Sequence, residues 1–388
     1  MLKYLCFRNT KMVIERTIKN SLLRDLNQIN KVIILYGARQ AGKTTLVNQV
    51  LKGLDYNVLY VNADESKYIN VLSSRDLDQI KSLVKGYNLL FIDEAQRIPN
   101  IGINLKIIHD QIPELKVIVT GSSSLEIADE ITEPLTGRKI VYHLYPISFS
   151  ELRSQYNDFE LNNILEARLI YGSYPELFSI ENNEQKRKYL LELSSSYLYK
   201  DVLRLVTIKK SNKITDLLRL LAYQIGSEVS LNEIAYTLDL DKETVARYID
   251  LLEKSFVLFR LGGFNRNLRK EVSKMDKIYF YDLGIRNVLI DDFKVIKERN
   301  DIGQLWENFL IVERMKYLDY QEKYTSNFFW RTYTGAELDY IEEENSVLGA
   351  YEFKWGRKKK NVPASWLESY PNSKFNLINR ENYIDFIS

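Results

Sequence analysis

The chain has 388 residues, which points to two or three domains, and its 45% hydrophobic and 27% charged composition is that of a globular protein able to bury real cores. A formal net charge of +2 excludes a globally basic surface, so any nucleic-acid contact has to be local. The single cysteine, Cys6, excludes an intrachain disulfide framework and a cysteine-based zinc cluster, and no apolar run reaches the roughly 18–20 residues of a bilayer span.

The first stretch, MLKYLCFRNTKMVIERTI, lacks the long apolar core and small-residue cleavage site of a signal peptide. A cytoplasmic protein with no membrane partner is expected. Residues 1–12 read as a disordered extension, with Met12 a candidate start. Neither an internal repeat nor a low-complexity linker is visible, so the domains are expected to pack together.

Residues 13–148 read as a nucleotide-binding core. Val32 to Tyr36 is a short β-branched run of the kind that forms a buried parallel strand. It runs into G-x-x-x-x-G-K-T over Gly37–Thr44, and TTLVNQVL continues as a helix. Strand, glycine loop and helix in that order are the context a phosphate-binding loop requires. Gly37, Ala38, Arg39, Gln40, Ala41, Gly42, Lys43, Thr44 and Thr45 form the predicted cradle for ATP. Backbone N–H groups wrap the phosphates, Lys43 reaches the β- and γ-phosphates, and Thr44 puts its hydroxyl on Mg²⁺. A second apolar strand, Leu89 to Ile92, ends in acid. Asp93 is expected to hold the magnesium water shell and Glu94 to act as general base on the attacking water. Strands over Asn57–Asp64 and Lys116–Ser124 complete the sheet, with Thr120 and Ser122 placed to sense the γ-phosphate. Arg138, before a fifth strand, is a candidate arginine finger across a subunit interface; a plain surface arginine is the alternative.

The P-loop, FIDEAQ, VTGSSS, LTGR, YPISFSEL and YGSYPEL together resemble prokaryotic AAA+-type ATPases, more narrowly those fused to a C-terminal domain of unknown function. The resemblance runs along nearly the whole chain after residue 12. It implies an α/β fold with an ASCE/AAA+-type parallel sheet, and ATP hydrolysis with Mg²⁺. It further implies activation through a homo-oligomer or another partner.

Residues 149–205 read as a helical lid broken by a turn at Tyr171–Phe178. Residues 206–265 give three helices and a β-wing, a layout resembling a winged helix-turn-helix. Ser230 with Glu233 reads as a capping box, and Asp241 as an N-cap. The helix over Lys242–Lys254 mixes Asp241, Glu243, Asp250 and Glu253 with Lys242, Arg247 and Lys254. A near-neutral reading helix is a weak DNA binder, which favours protein packing. A more basic segment follows, with Arg266, Arg269, Lys270, Lys274 and Lys277; a solvated loop face is its alternative.

Residues 266–388 read as an α/β domain. Lys277–Ile290 predicts a buried strand, a turn and a short helix; Gln304–Leu318 predicts an amphipathic helix with Trp306, Phe309, Leu310, Val312 and Met315 facing a core. GAELDYIEEENSVLGAYEFKW predicts two strands joined by an acidic turn. Alternation puts Glu352 and Lys354 on one face, and hairpin pairing brings Asp339 near Glu352. Asp339, Glu352 and Glu307 are then candidate metal ligands and Lys354 a stabiliser of charge on a cleaved phosphodiester. A cross-strand surface salt bridge is the competing reading. The order Glu, Asp, Glu-x-Lys resembles the PD-(D/E)xK nuclease core, with LD in place of PD. On that resemblance Asp339, Glu352 and Lys354 map onto the catalytic residues and Glu307 onto the auxiliary helix acid. GRKKK at Gly356–Lys360 is a candidate phosphate-backbone contact. The expected function is a Mg²⁺-dependent ATPase coupled to DNA or RNA binding or processing; the alternative is a non-nucleolytic ATP switch acting on protein partners.

Overall fold

In the computed structural model, residues 14–121, 134–204, 211–266, 275–356 and 361–388 are described. Ser122, Arg269, Lys270, Lys274 and residues 357–360 lie outside them.

Helix α1 (Lys19–Gln28) precedes a five-stranded sheet of β1 (Val32–Gly37), β2 (Val58–Asn62), β3 (Leu89–Asp93), β4 (Lys116–Gly121) and β5 (Lys139–Leu144). Every pairing is parallel and the order is β2-β3-β4-β1-β5, so β4 separates the glycine-loop strand from the acidic strand. All residues of β1 and β3 are buried, which is why these strands read as unbroken apolar runs. Helices α2 (Lys43–Leu51), α3 (Ser66–Leu72), α4 (Leu77–Val84) and α5 (Ile101–Gln111) connect the strands.

Residues 149–204 are mostly helical: α6 (Phe149–Arg153), α7 (Asp158–Tyr171) and α8 (Asn183–Arg204), with a 3₁₀ turn at Pro175–Phe178. Reciprocal capping boxes start α6, at Ser148 and Glu151, and α7, at Asn157 and Glu160. The box expected at Ser230 forms in one direction, Glu233 N–H to Ser230 Oγ at 3.4 Å. Helices α9 (Ser211–Tyr223), α10 (Leu231–Leu238) and α11 (Lys242–Lys254) are followed by β6 (Leu258–Leu261). Its partner is β7 (Lys277–Phe280), in an antiparallel ladder joined by a bridge between Glu228 and Lys277. This pairing joins residues on either side of the boundary expected between 265 and 266.

Helix α12 (Leu283–Leu289) leads to α13 (Ile302–Tyr320) and a four-stranded mixed sheet of order β11-β10-β9-β8. Its strands are β8 (Ser326–Arg331), β9 (Glu337–Glu344), β10 (Val347–Phe353) and β11 (Lys374–Ile378). The amphipathic expectation for α13 is corrected: Asn308, Ile311, Glu313 and Lys316 are buried along with Trp306, Phe309, Leu310 and Val312. The helix lies between the parallel-sheet domain with the helices that follow it and the C-terminal sheet, so it has no solvent face along most of its length. The acidic turn is also corrected. Glu342–Glu344 belong to β9, and the turn is Asn345-Ser346, both with left-handed backbone (φ 49° and 67°), the geometry of a two-residue hairpin. Gly262 and Phe264, just past β6, exchange backbone hydrogen bonds with Phe329 of β8, fastening the middle segment to the edge of the C-terminal sheet.

Candidate functional sites

The glycine loop bends where backbone must pass where no side chain fits: a Cβ on Gly37 would collide with the Leu144 carbonyl, and Gly42 has φ 98° as N-cap of α2. Lys43 is buried, and its ammonium donates to the carbonyls of Gly37 at 2.9 Å and Ala38 at 3.0 Å, across the mouth of the loop. Thr44 Oγ1 donates to Asp93 Oδ2 at 2.8 Å, so the hydroxyl and carboxylate expected to share Mg²⁺ already face each other. Thr120, from the strand between them, donates to Asp93 Oδ1 and accepts the Glu94 N–H at 3.2 Å. Glu94 has left-handed backbone (φ 57°), which turns its carboxylate out of the strand line, where Gln96 Nε2 donates to it at 2.6 Å. Positive φ at a glutamate is strained, and such strain concentrates at functional sites. Gln40 accepts from Tyr189 of α8 at 2.7 Å, bringing the lid onto the loop; Arg39 is half-buried and Thr45 exposed.

Arg138 sits elsewhere. Its carbonyl accepts the Val32 N–H, so it stands at the start of β1, roughly 17 Å of strand from the loop at the other end. Its guanidinium donates to Asp110 at 2.8 Å, and with His109 it holds that carboxyl down at about 2. Within one chain it does not reach the phosphates.

Two contributors have no local signature in the sequence. The Tyr60 hydroxyl, on the edge strand, is a third donor to Asp93 at 3.3 Å. Arg16, ahead of α1, is buried and donates to the loop carbonyl of Ala41 at 2.8 Å.

In the C-terminal sheet, β9 and β10 pair from Val347 opposite Glu344 to Tyr351 opposite Tyr340, so the next step sets Glu352 opposite Asp339. The two carboxylates share a face as expected, but that face is inside: Glu352 is fully buried and Asp339 is 6% exposed. A surface salt bridge is thereby excluded. Asp339 Oδ2 accepts the Phe353 N–H at 2.7 Å, and Glu352 Oε1 accepts from Lys354 at 2.6 Å. Glu307 Oε1, from α13, accepts from Lys277 at 3.1 Å and the Tyr279 hydroxyl at 2.6 Å, both on β7. Lys277 is thus no part of a basic loop face. Burial pulls its ammonium down, yet Glu307 and Asp339 hold it above the usual lysine range.

The chelate expected of Glu307, Asp339 and Glu352 is not formed. Two ammoniums already neutralise Glu307 and Glu352, and among the described residues no three His, Cys, Asp or Glu side chains stand in a metal-holding arrangement. As arranged, the three acids do not form one chelating cluster. The carboxylates still crowd one another. Burial first, then Glu307 and Glu352, push Asp339 up to about 7. Its folded value exceeds the ordinary 3.8, so the folded chain keeps a proton that the unfolded chain releases. The stability this group contributes is full below the ordinary value and is lost as pH rises through about 7. Chemical denaturation across that window should show Asp339→Asn flattening the loss. A slope identical to that of the unaltered chain rules this out.

Comparison with known proteins agrees with the geometry. Residues 29–153 match a family described as an AAA domain, and residues 162–295 and 302–376 match two domains of unknown function. An uncharacterized protein of Methanocaldococcus jannaschii is 24% identical over 359 residues, covering 86% of this chain and 78% of the relative. An uncharacterized protein of Mycobacterium tuberculosis is 28% identical over 348 residues, covering 88% and 74%. Among solved structures, the Walker-type ATPase of Pyrococcus abyssi superposes with a TM-score of 0.52 at 16% identity, covering 72% of this chain and 96% of that one. Residues 29–153 thus match an AAA domain on a P-loop, set within an α/β fold. Among the described residues no helix is long and apolar enough to cross a membrane.

Proposed function

We propose that the chain is a Mg²⁺-dependent ATPase that couples its nucleotide state to nucleic-acid binding through its middle and C-terminal segments. The observation that carries the ATPase reading is the convergence of Thr44, Thr120 and Tyr60 on Asp93 beside Lys43 and Glu94. Thr44 and Asp93 fit a magnesium ion as an oxygen pair at the end of a parallel sheet, where such ligands bind. Bound there with ATP, Mg²⁺ supplies charge neutralisation on the β- and γ-phosphates. Lys43 turns its ammonium from the loop carbonyls to the phosphate oxygens. Thr120 holds Asp93 and the Glu94 backbone in register, and Glu94 accepts the proton of the attacking water.

The nucleic-acid reading is supported by α9, α10 and α11 followed by the β6-β7 hairpin and its extra bridge at Glu228, a winged-helix layout. The internal neutralisation of the C-terminal carboxylates supports a binding role there in place of a cutting one. A second reading, an ATP switch on protein partners, is favoured by α11, which pairs Lys254 with its own Asp250 and mixes its remaining cations with acids, so it carries little net positive charge. The experiment is a DNA and RNA titration at two salt concentrations, with and without ATP. A steep salt slope that ATP modulates is expected, since each phosphate contact releases counterions. Salt-insensitive or absent binding gives the protein-partner reading. Metal-dependent cleavage that disappears in Asp339→Ala would restore the nuclease.

A further inference from the structure

We infer that Arg16 is a positioning residue of the nucleotide site: from outside the loop it fixes the peptide between Ala41 and Gly42 so that the Gly42 N–H faces the phosphates. The inference rests on the ATPase reading and assigns a residue twenty-five positions upstream of the loop carbonyl it holds.

Arg16 spends its guanidinium in three directions. Nη1 donates to the Ala41 carbonyl at 2.8 Å, Nη2 to the Tyr145 carbonyl at 2.6 Å and Nε to Glu151 Oε1 at 2.9 Å. Two of these partners lie outside the loop, after β5 and in α6, so the sheet and lid dictate where the guanidinium sits. Glu151 is itself held. Its Oε2 accepts the Ser148 N–H at 2.8 Å, its own N–H donates to Ser148 Oγ at 3.2 Å, and Oε1 also accepts the Thr17 N–H at 3.1 Å. A planar trans peptide points its carbonyl and the following N–H in opposite directions. No cis peptide is present among the described residues. Pinning the Ala41 carbonyl on the Arg16 side therefore turns the Gly42 N–H to the other side, into the cradle where backbone N–H groups meet phosphate.

The charge of Arg16 is paired with the buried Glu151 carboxylate, so its contribution is orientation more than electrostatic field. Only a planar fork serves three acceptors at fixed angles; a lysine ammonium on a flexible stem does not.

The test uses the full chain with Arg16→Lys, which keeps a positive charge against Glu151, and Arg16→Gln. Steady-state ATP hydrolysis and equilibrium titration with a fluorescent ADP are both measured. Both variants should raise KM for ATP and weaken ADP by the same factor, roughly ten- to hundredfold, the range for losing a hydrogen bond to a charged group. The change in kcat should stay within about threefold, since the contact is equal in ground and transition states. A purely structural arginine would instead lower kcat, through a smaller active fraction, and leave KM and ADP affinity unchanged. That pattern, or unaltered ADP affinity in a folded Arg16→Lys protein, overturns the inference. If the chain binds ADP but does not hydrolyse ATP, the ATPase reading fails and the ADP titration still decides the role of Arg16.

Discussion

Lys43→Ala abolishes ATP binding, whereas Glu94→Gln leaves binding intact and stops turnover. The first result follows from where the ammonium sits: buried, at the loop mouth, donating to the Gly37 and Ala38 carbonyls. Removing it strips the side-chain cation facing the β- and γ-phosphates, and loss of one such preorganised donor lowers rate by about 10²–10³ before any loss of affinity. Glu94→Gln keeps the size of the side chain and the backbone bond to Thr120, so the phosphate cradle is untouched. It removes proton acceptance, which is worth on the order of 10²–10⁴ in rate. Equilibrium nucleotide binding beside steady-state hydrolysis separates the two variants. Normal turnover by Lys43→Ala protein would show that this loop is not the catalytic centre.

Glu313→Ala costs about 3–5 kcal/mol of stability, the expected toll of leaving buried charges without their partner. Glu313 Oε1 accepts from Arg168 at 2.9 Å and Lys316 at 2.9 Å, and Oε2 accepts the Phe149 N–H at 2.5 Å. The three side chains are each at most 3% exposed, so water does not replace what is lost. Arg168 is further sandwiched near the Phe149 and Phe309 rings, which prevents it from swinging to solvent. The Phe149 N–H is a first-turn helix donor, one of the groups a helix cannot satisfy itself. Glu313→Gln retains one acceptor and should fall between the two. Denaturation midpoints measure the difference; a loss below about 1 kcal/mol would place this network among the weak surface pairs.

What the sequence revealed follows the range of each constraint. The glycine loop and the strand-end acids were legible because their geometry is local: a few positions demand glycine, and a strand end offers its last side chain to the ligand. The facing of Asp339 and Glu352 was legible because alternation and a two-residue turn determine it. Arg16 was not, since its partners Tyr145 and Glu151 lie more than a hundred positions away and leave no spacing to read. Lys277 was misread as part of a basic surface because a buried lysine and an exposed one look alike until the partner acid, Glu307, is known. The acids of β9 were misread as turn residues for a similar reason. Glu342 is buried against Arg314, in a fork of two 2.8 Å bonds. Helix α13 failed the amphipathic reading because two layers enclose it, and its buried ions, Glu313 and Lys316, satisfy each other.

Helix α13 also decides how this molecule can be taken apart. Nineteen residues give it a length of about 28 Å, with Glu307 near its start, Glu313 in its middle and Tyr320 at its end. Glu307 belongs to the C-terminal cluster, Glu313 caps a lid helix, and the Tyr320 hydroxyl accepts the Tyr145 N–H beside β5. Scissors applied between the matched segments, near residue 300, would leave an amino-terminal fragment in which Arg168 and the Phe149 N–H lose Glu313 and an apolar groove is bared. The other fragment would carry Glu307 parted from Lys277 and Tyr279, and Glu313 parted from Arg168. Chemistry is divided along this chain in a way that its physical integrity is not, and the smallest portable unit includes both ends of that helix.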